Sequence, residues 1–432
     1  MKPERIVHIG LGAFFRAHQA VYTQHASDGA DWGIVAYTGR SALLADQLRP
    51  QGCKYTLVVK TAEQDSLELI DSVVRVEAAE NVADLIATIS NPDIAIVTLT
   101  ITEAGYQPSS EPMSSYAIGR LAMALDARQK AGHQAPTLLS CDNMPDNSEV
   151  LRKALLVAGS ALGSDFQEYV GQVSYVSSSV DRITPKTTDD DIALVAATGF
   201  PPAAPVITEE FSDWVVSGSF PLGRPNWESA GARFVAELEP WENRKLWLLN
   251  GAHSLIASFG QRLGYQSVDQ AIQDVEIRAA VDAWWSDASE QLPAGLDIEN
   301  YKQSLLKRFS NPRISHRLEQ ISLEGLTKHT VRFATVAEES VSKGVMPLGA
   351  VGALASYIAS LGLGFGLGDS RSQEINKALA SNDQVLSVLA LISPKLAANA
   401  EFVQLLKLEV AALSAALTSD LELQISTSLT NN

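Results

Sequence analysis

The chain has only two cysteines in 432 residues, Cys53 and Cys141, too few and too far apart for a disulfide framework. No cysteine or histidine cluster has metal-ligand spacing, so no zinc site is expected. Basic charge is also scarce: 33 Lys and Arg against 50 Asp and Glu leave a formal charge of −17, which argues against nucleic acid or an anionic membrane as partner. Charged residues and a first strand begin at once, without an apolar signal core, so a cytoplasmic protein is expected. One uncharged run, 344–368, is long enough to span a bilayer. Pro347 and seven glycines interrupt it, at 344, 349, 352, 362, 364, 366 and 368, and a buried helix over 348–361 followed by a glycine-rich turn is expected instead.

What is present is a core-forming composition, 46% hydrophobic and 19% charged, in a chain too long for one core. Two regimes follow each other. Strand-like runs at 6–9, 32–37, 55–60, 94–100, 137–140 and 173–176 alternate with helical patterns at 14–25, 82–89, 116–130 and 149–162. Such alternation predicts a parallel sheet wound on both faces. From about residue 239 the pattern is helical, as at 272–285 and 401–417, and the polar tail from 426 is expected to fray. The fold class is therefore α/β plus α: a Rossmann-like doubly wound domain over 1–238, then a mostly α-helical domain over 239–432. Pro201 to Pro205 form a rigid loop inside the first domain rather than a linker.

Chemistry is suggested at two places. The N-terminal run Ile6-Val7-His8-Ile9-Gly10-Leu11-Gly12 reads as a strand entering a glycine turn, with Gly10 and Gly12 where a dinucleotide fingerprint has its first two glycines. Phe15 stands at the third glycine position, so an ordinary strand-to-helix turn is the competing account. Arg16 would fall in the first helical turn, near the phosphates. The second place is Lys245-Leu246-Trp247-Leu248-Leu249-Asn250-Gly251-Ala252-His253. On a straight α-helix Lys245, His253 and Asn250 point to roughly 0°, 80° and 140°, one common arc. A desolvated amine can take the proton of an alcohol while an amide N–H holds the developing oxyanion. That set suits alcohol oxidation without a metal. Alone, the same helix also reads as amphipathic, with a solvated Lys245 and a core His253. Glu242, three residues before Lys245, can reach it or relay its proton.

Together these pieces carry a resemblance. Gly10-Leu11-Gly12-Ala13-Phe14-Phe15-Arg16, Thr98-Leu99-Thr100-Ile101-Thr102-Glu103, Ser140-Cys141-Asp142-Asn143-Met144-Pro145, Val180-Asp181-Arg182, Gly223-Arg224-Pro225, the run from Lys245 to His253, and Arg308-Phe309-Ser310-Asn311-Pro312 occur in one order. In that order the chain resembles the polyol-specific long-chain dehydrogenases, the family of mannitol 2-dehydrogenase and fructuronate reductase (mannonate oxidoreductase). The resemblance implies a site between the carboxyl ends of the sheet strands and the helix opening the second domain. It makes Lys245 the base, Asn143 and Asn250 an oxyanion pair, Asp181 an orienting carboxylate, and His253 a partner of a substrate hydroxyl. Gly10, Gly12, Phe14, Phe15, Arg16, Arg40, Thr100 and Thr102 become the expected dinucleotide contacts.

NAD or NADP is the implied cofactor, and a small polyol, ketose or aldonate the implied partner. A monomer would suffice. The loop Thr38-Gly39-Arg40-Ser41-Ala42-Leu43 lacks the acids that NAD-preferring relatives tend to place after the Arg-Ser pair, and Arg40 could meet a 2′-phosphate. Ser217-Gly218 and Glu324-Gly325-Leu326 also depart from the family pattern, which leaves the substrate open. A polyol-phosphate dehydrogenase and a non-catalytic nucleotide sensor are the competing functions.

Overall fold

In a computed structural model, residues 2–314, 316–366 and 368–430 are described, with side chains through 415. Contacts divide the chain into two units, one ending at Glu239 and one beginning at Pro240.

The first unit carries the strands β1 (Glu4–Ile9), β2 (Gly33–Tyr37), β3 (Tyr55–Lys60), β4 (Asp65–Ile70), β5 (Val73–Glu77), β6 (Ile96–Leu99), β7 (Thr137–Ser140), β8 (Tyr175–Asp181), β9 (Val206–Glu209), β10 (Asp213–Ser217) and β11 (Arg233–Phe234). Eight of them form one sheet in the order β11-β10-β8-β7-β6-β1-β2-β5. It is parallel from β5 to β8, and β10 joins antiparallel to β8. Both faces are covered. Along β1, Ile6 packs with Leu11, Phe15 and Trp214 on one side, whereas Val7 and Ile9 pack with Leu121, Leu125 and Leu151 on the other. Period-two alternation thus fills two cores from one strand.

The strand over 55–60, expected in the wound sheet, lies elsewhere. β3 pairs antiparallel with β4 and parallel with β9 in a separate three-stranded sheet. A short turn closed by the Thr61 and Gln64 backbones at 3.2 Å links β3 to β4. So short a link allows only a hairpin, since a parallel pair needs a crossover of a dozen or more residues. β5 takes the position beside β2 instead. The helix expected over 14–25 is likewise two, Ala13–Ala17 and Gln19–His25, broken at His18, whose buried ring nitrogen Nε2 lies 3.2 Å from the Asp213 carbonyl.

The second unit is helical. Leu348–Gly362, behind Pro347, is buried over most of its length, and no helix among the described residues is long and apolar enough to cross a membrane. The terminal helix Ala400–Thr430 includes most of the tail expected to fray; residues 431–432 lie outside the described residues.

The helix Val275–Glu290 packs against Leu348–Gly362 through Gly349, where an added Cβ would stand 2.3 Å from the Ala283 carbonyl oxygen. A Cβ on Gly352, one turn on, would meet nothing within 4 Å. Gly349→Ala is therefore expected to destabilise the protein by about 1–3 kcal/mol through overpacking. Gly352→Ala should leave stability unchanged or raise it by up to about 1 kcal/mol, as helix propensity dictates. Urea unfolding of both variants measures the contrast, and equal effects would deny the close helix contact.

Candidate active site

The glycine turn follows β1, and the run Thr100–Thr102 follows its neighbour β6, where the chain order of the sheet reverses. Wound sheets bind ligands in the crevice outside the strand ends at this switch point. Gly10 has φ +110°, and a Cβ there would lie 2.1 Å from the Thr100 carbonyl oxygen, so only glycine fits. At Gly12 a Cβ would meet only the Gly10 carbonyl, at 3.5 Å. The space beside Gly12 is thus free of protein, as a pyrophosphate lying against the backbone requires.

Buried hydrogen bonds hold this turn. His8, fully buried, places Nδ1 2.8 Å from Thr98 Oγ1 and Nε2 3.0 Å from Thr100 Oγ1, and the Thr100 hydroxyl donates to the Gly10 carbonyl at 2.9 Å. Burial pushes the His8 pKa down to about 3, so its ring is neutral. The Phe15 side chain stacks on His8 at 3.5 Å and is wholly buried, which leaves only its backbone to face a cofactor. Its side chain belongs to the core because the helix turns that position inward. Phe14 stays partly buried and stacks on His18 at 5.0 Å.

Arg16 also turns inward, donating from Nε to the Gly12 carbonyl at 3.2 Å and from Nη1 to the Ala204 carbonyl at 2.5 Å. Its guanidinium braces the turn from behind rather than standing open to solvent. Burial lowers its pKa to about 10. Arg40 and Thr102 are exposed.

Asp142, within the matching motif but assigned no role from sequence, ties two loops together. Its carboxylate accepts from Ile101 N at 3.0 Å, Thr102 N at 2.8 Å and the Tyr106 hydroxyl at 2.6 Å. Burial raises its pKa, against the pull of these donors. Thr102 has φ +65°, a conformation costly for a β-branched residue, and the Asp142 bonds help hold it there. Asn143, next in the chain, is exposed beyond the end of β7. Asn147 fixes its loop, giving hydrogen bonds from Nδ2 to the Asp142 carbonyl at 3.1 Å and the Ser178 carbonyl at 2.7 Å. Asp181 is buried at the end of β8, across from Asp213. Arg182 donates to the backbone carbonyls of Ala17 and Glu209 and serves as a half-buried brace.

In the second unit the expected straight helix is not straight. An α-helical turn, Glu239–Arg244, which carries Glu242, passes into a π-helix over Lys245–Gly251 and then into an α-helix, Ala252–Arg262. In π geometry the backbone pairs residues five apart, so Lys245 and Asn250 come into register on one face, and the arc of a uniform α-helix does not apply. Three long side chains hold the widened turn. Trp284 Nε1 donates to the Trp247 carbonyl and Trp285 Nε1 to the Leu248 carbonyl, each at 2.8 Å. Arg332, from a second π-helix over Thr330–Ala334, donates to the Asn250 carbonyl at 2.9 Å and to Ser254 Oγ at 2.6 Å.

Lys245 is 9% exposed, which removes the reading of a solvated surface lysine. Asn250 is half-buried. His253 lies 4.8 Å, ring to ring, from both Phe309 and His316. Burial first, then His316, Arg308 and Arg332, hold its pKa well below the ordinary value, so the ring is neutral. The structure thus gathers Lys245, Asn250 and His253 on one continuous helical stretch in the second unit, while Gly10, Gly12, Thr100, Thr102, Asn143 and Asp181 stand at strand ends in the first.

Among the described residues no group of His, Cys, Asp and Glu could hold a metal ion. The fold and the glycine turn define a dinucleotide-binding domain followed by a helical one. Residues 4–229 match the mannitol dehydrogenase Rossmann domain, and residues 237–414 match the mannitol dehydrogenase C-terminal domain. D-mannonate oxidoreductase of Escherichia coli is 33% identical over 357 residues, 75% of this chain and 73% of the relative. Polyol:NADP oxidoreductase of Gluconobacter oxydans is 32% identical over 377 residues, 78% of this chain and 77% of the relative. The solved ternary complex of Pseudomonas fluorescens mannitol 2-dehydrogenase with NAD and D-mannitol superposes with a TM-score of 0.76 at 28% identity, covering 98% of this chain and 95% of that one. The chain belongs to the mannitol dehydrogenase family, and is an NAD(P)-linked oxidoreductase of CH–OH donors.

Trp285→Phe keeps a six-membered aromatic ring and removes the indole donor, leaving the buried Leu248 carbonyl without it. A lost buried partner costs about 1–3 kcal/mol, so urea unfolding should show a drop of that size. Wild-type stability would mean that the π turn does not depend on this bond.

Proposed function

We propose that the protein transfers hydride between a secondary alcohol of an open-chain polyol or sugar acid and a nicotinamide dinucleotide, without a metal and with Lys245 as general base. The observation that carries this reading is the buried Lys245 in π register with Asn250. The nicotinamide supplies the hydride acceptor when bound. During oxidation Lys245 Nζ takes the hydroxyl proton, and during reduction it returns one to the carbonyl oxygen. The Asn250 amide donates to that oxygen as negative charge develops on it, and Asn143 of the first unit is the second amide of the pair. Neutral His253 hydrogen-bonds an adjacent substrate hydroxyl. Asp181 orients the base or the hydroxyls, and Glu242 relays the proton of Lys245 towards solvent. Gly10, Gly12 and the strand-end threonines Thr100 and Thr102 hold the dinucleotide.

Lys245→Ala should lower turnover by roughly 10²–10⁴-fold while dinucleotide affinity persists. Near-normal turnover of that variant, at a pH where the parent works, removes Lys245 from the mechanism.

The surroundings of His253 favour an anionic substrate over a neutral hexitol. The guanidinium groups of Arg308 and Arg332 act on its charge, a cationic neighbourhood suited to a carboxylate, while His316 is itself held neutral by burial and Arg308. The mannonate/fructuronate pair then ranks above mannitol/fructose, with a polyol phosphate as the remaining anionic alternative. Initial rates with hexitols, aldonates, ketoses and polyol phosphates, each with NAD and NADP, separate the three. A specificity constant for mannitol tenfold above that for mannonate would sink the sugar-acid reading, and absence of turnover with every substrate would favour a sensor.

A further inference from the structure

Two buried arginines sit on the helix Ala117–Lys130, and they differ in how their donors are used. Arg128 is saturated by backbone carbonyls, with Gln134 at 2.6 Å, Ile89 at 2.7 Å and Asn91 at 2.9 Å. Arg120 is only 5% exposed, yet makes two long hydrogen bonds, each of 3.4 Å, from Nη1 to the Ser114 carbonyl and from Nη2 to the Gly39 carbonyl. Bonds of that length are weak, and no carboxylate among the described residues pairs with it. A guanidinium held nearly dry with its charge uncompensated is costly unless an anion joins it.

The loop it touches is the one following β2. Gly39 is followed by exposed Arg40 and by Ser41, whose Oγ accepts from Leu43 N at 3.2 Å and so keeps its hydroxyl proton to give. The acid on the adjacent strand end, Glu77, is engaged by Arg49 at 3.1 Å and Asn81 at 3.4 Å. One buried and one exposed guanidinium therefore flank a short backbone segment that offers a hydroxyl donor and no carboxylate.

We infer that Arg120 and Arg40 together bind a phosphomonoester on the 2′-oxygen of an adenosine ribose, so that the dinucleotide this chain selects is NADP. Arg120 supplies the rigid fork from within the fold, and Arg40 closes over the anion from solvent. The inference rests on the reading that the β2 loop holds the adenosine ribose.

Calorimetric titration with 5′-AMP and 2′,5′-ADP, without substrate, tests it. The parent should bind 2′,5′-ADP far more tightly than 5′-AMP. Arg120→Gln should reduce 2′,5′-ADP affinity by roughly ten- to a hundredfold, the worth of a charged hydrogen bond, and change 5′-AMP affinity by less than about threefold. Arg120→Lys, which keeps the charge without the fork, should lose part of the preference and carries the test if the Gln variant does not fold. Parallel loss of both ligands, or loss of neither, overturns the assignment, because adenine stacking or a purely structural role gives those patterns. Leu43→Asp probes the underlying reading separately: it should weaken 2′,5′-ADP by charge repulsion whatever Arg120 does. No effect of Leu43→Asp, or no binding of either nucleotide by the parent, places the ribose elsewhere.

Discussion

Everything proposed for the second unit depends on a few backbone carbonyls. A π turn spaces its backbone bonds more widely than an α-helix, and buried carbonyls within it still need donors. Trp284 and Trp285 meet two of them from the neighbouring helix, and Arg332 meets the Asn250 carbonyl. Gly251 makes this possible, since a Cβ there would stand 2.7 Å from the Trp284 indole nitrogen. The reward is geometric: Lys245 and Asn250 share one face with their backbone fixed by residues that need not touch substrate. On the proposed reading of Lys245 as base and Asn250 as oxyanion donor, turnover requires such placement, because either group loses its effect when misplaced by an ångström.

The first unit solves the same problem with a different set of donors. Its glycine turn is braced from below by the chain Thr98, His8, Thr100, and its next loop by the Asp142 carboxylate. In each case a buried polar group with few alternatives fixes an irregular stretch of backbone. Burial is what makes the brace firm, since an unmade bond in a dry site costs more than one in water. The depressed His8 pKa follows from the same burial and keeps the ring neutral around neutral pH.

The wound sheet, the helical second half and the glycine turn were legible because each writes a period or a fixed spacing into the chain: alternation along β1, apolar stripes after Pro240, Gly10 two residues before Gly12. The buried helix Leu348–Gly362 was legible for the opposite reason, an absence of charge on every side. Hydrophobic period carries no information on sheet membership, and β3 left the main sheet because of the length of the turn behind it. Likewise a π register leaves no periodic mark over seven residues, so the geometry of Lys245 to His253 could not be taken from an α-helical wheel. The side-chain direction of Phe15 was not legible because a fingerprint gives position, not direction, and the short helix turns that side chain towards His8. Trp284, Trp285 and Arg332 act through contacts 37 or more residues distant in sequence, which only the fold reveals.

These braces divide the site into parts that can vary and parts that cannot. Thr38 to Leu43 form an open loop on which Arg40 and Leu43 are exposed, and a change of charge there alters what the loop attracts without disturbing Gly10 or its hydrogen bonds. The π turn has no such freedom. Replacing Gly251 or either tryptophan changes the backbone that carries Lys245 and Asn250 together. On the proposed reading, the chemistry is anchored in this rigid turn, while the choice of dinucleotide is written separately, by charges on the open loop of the first unit.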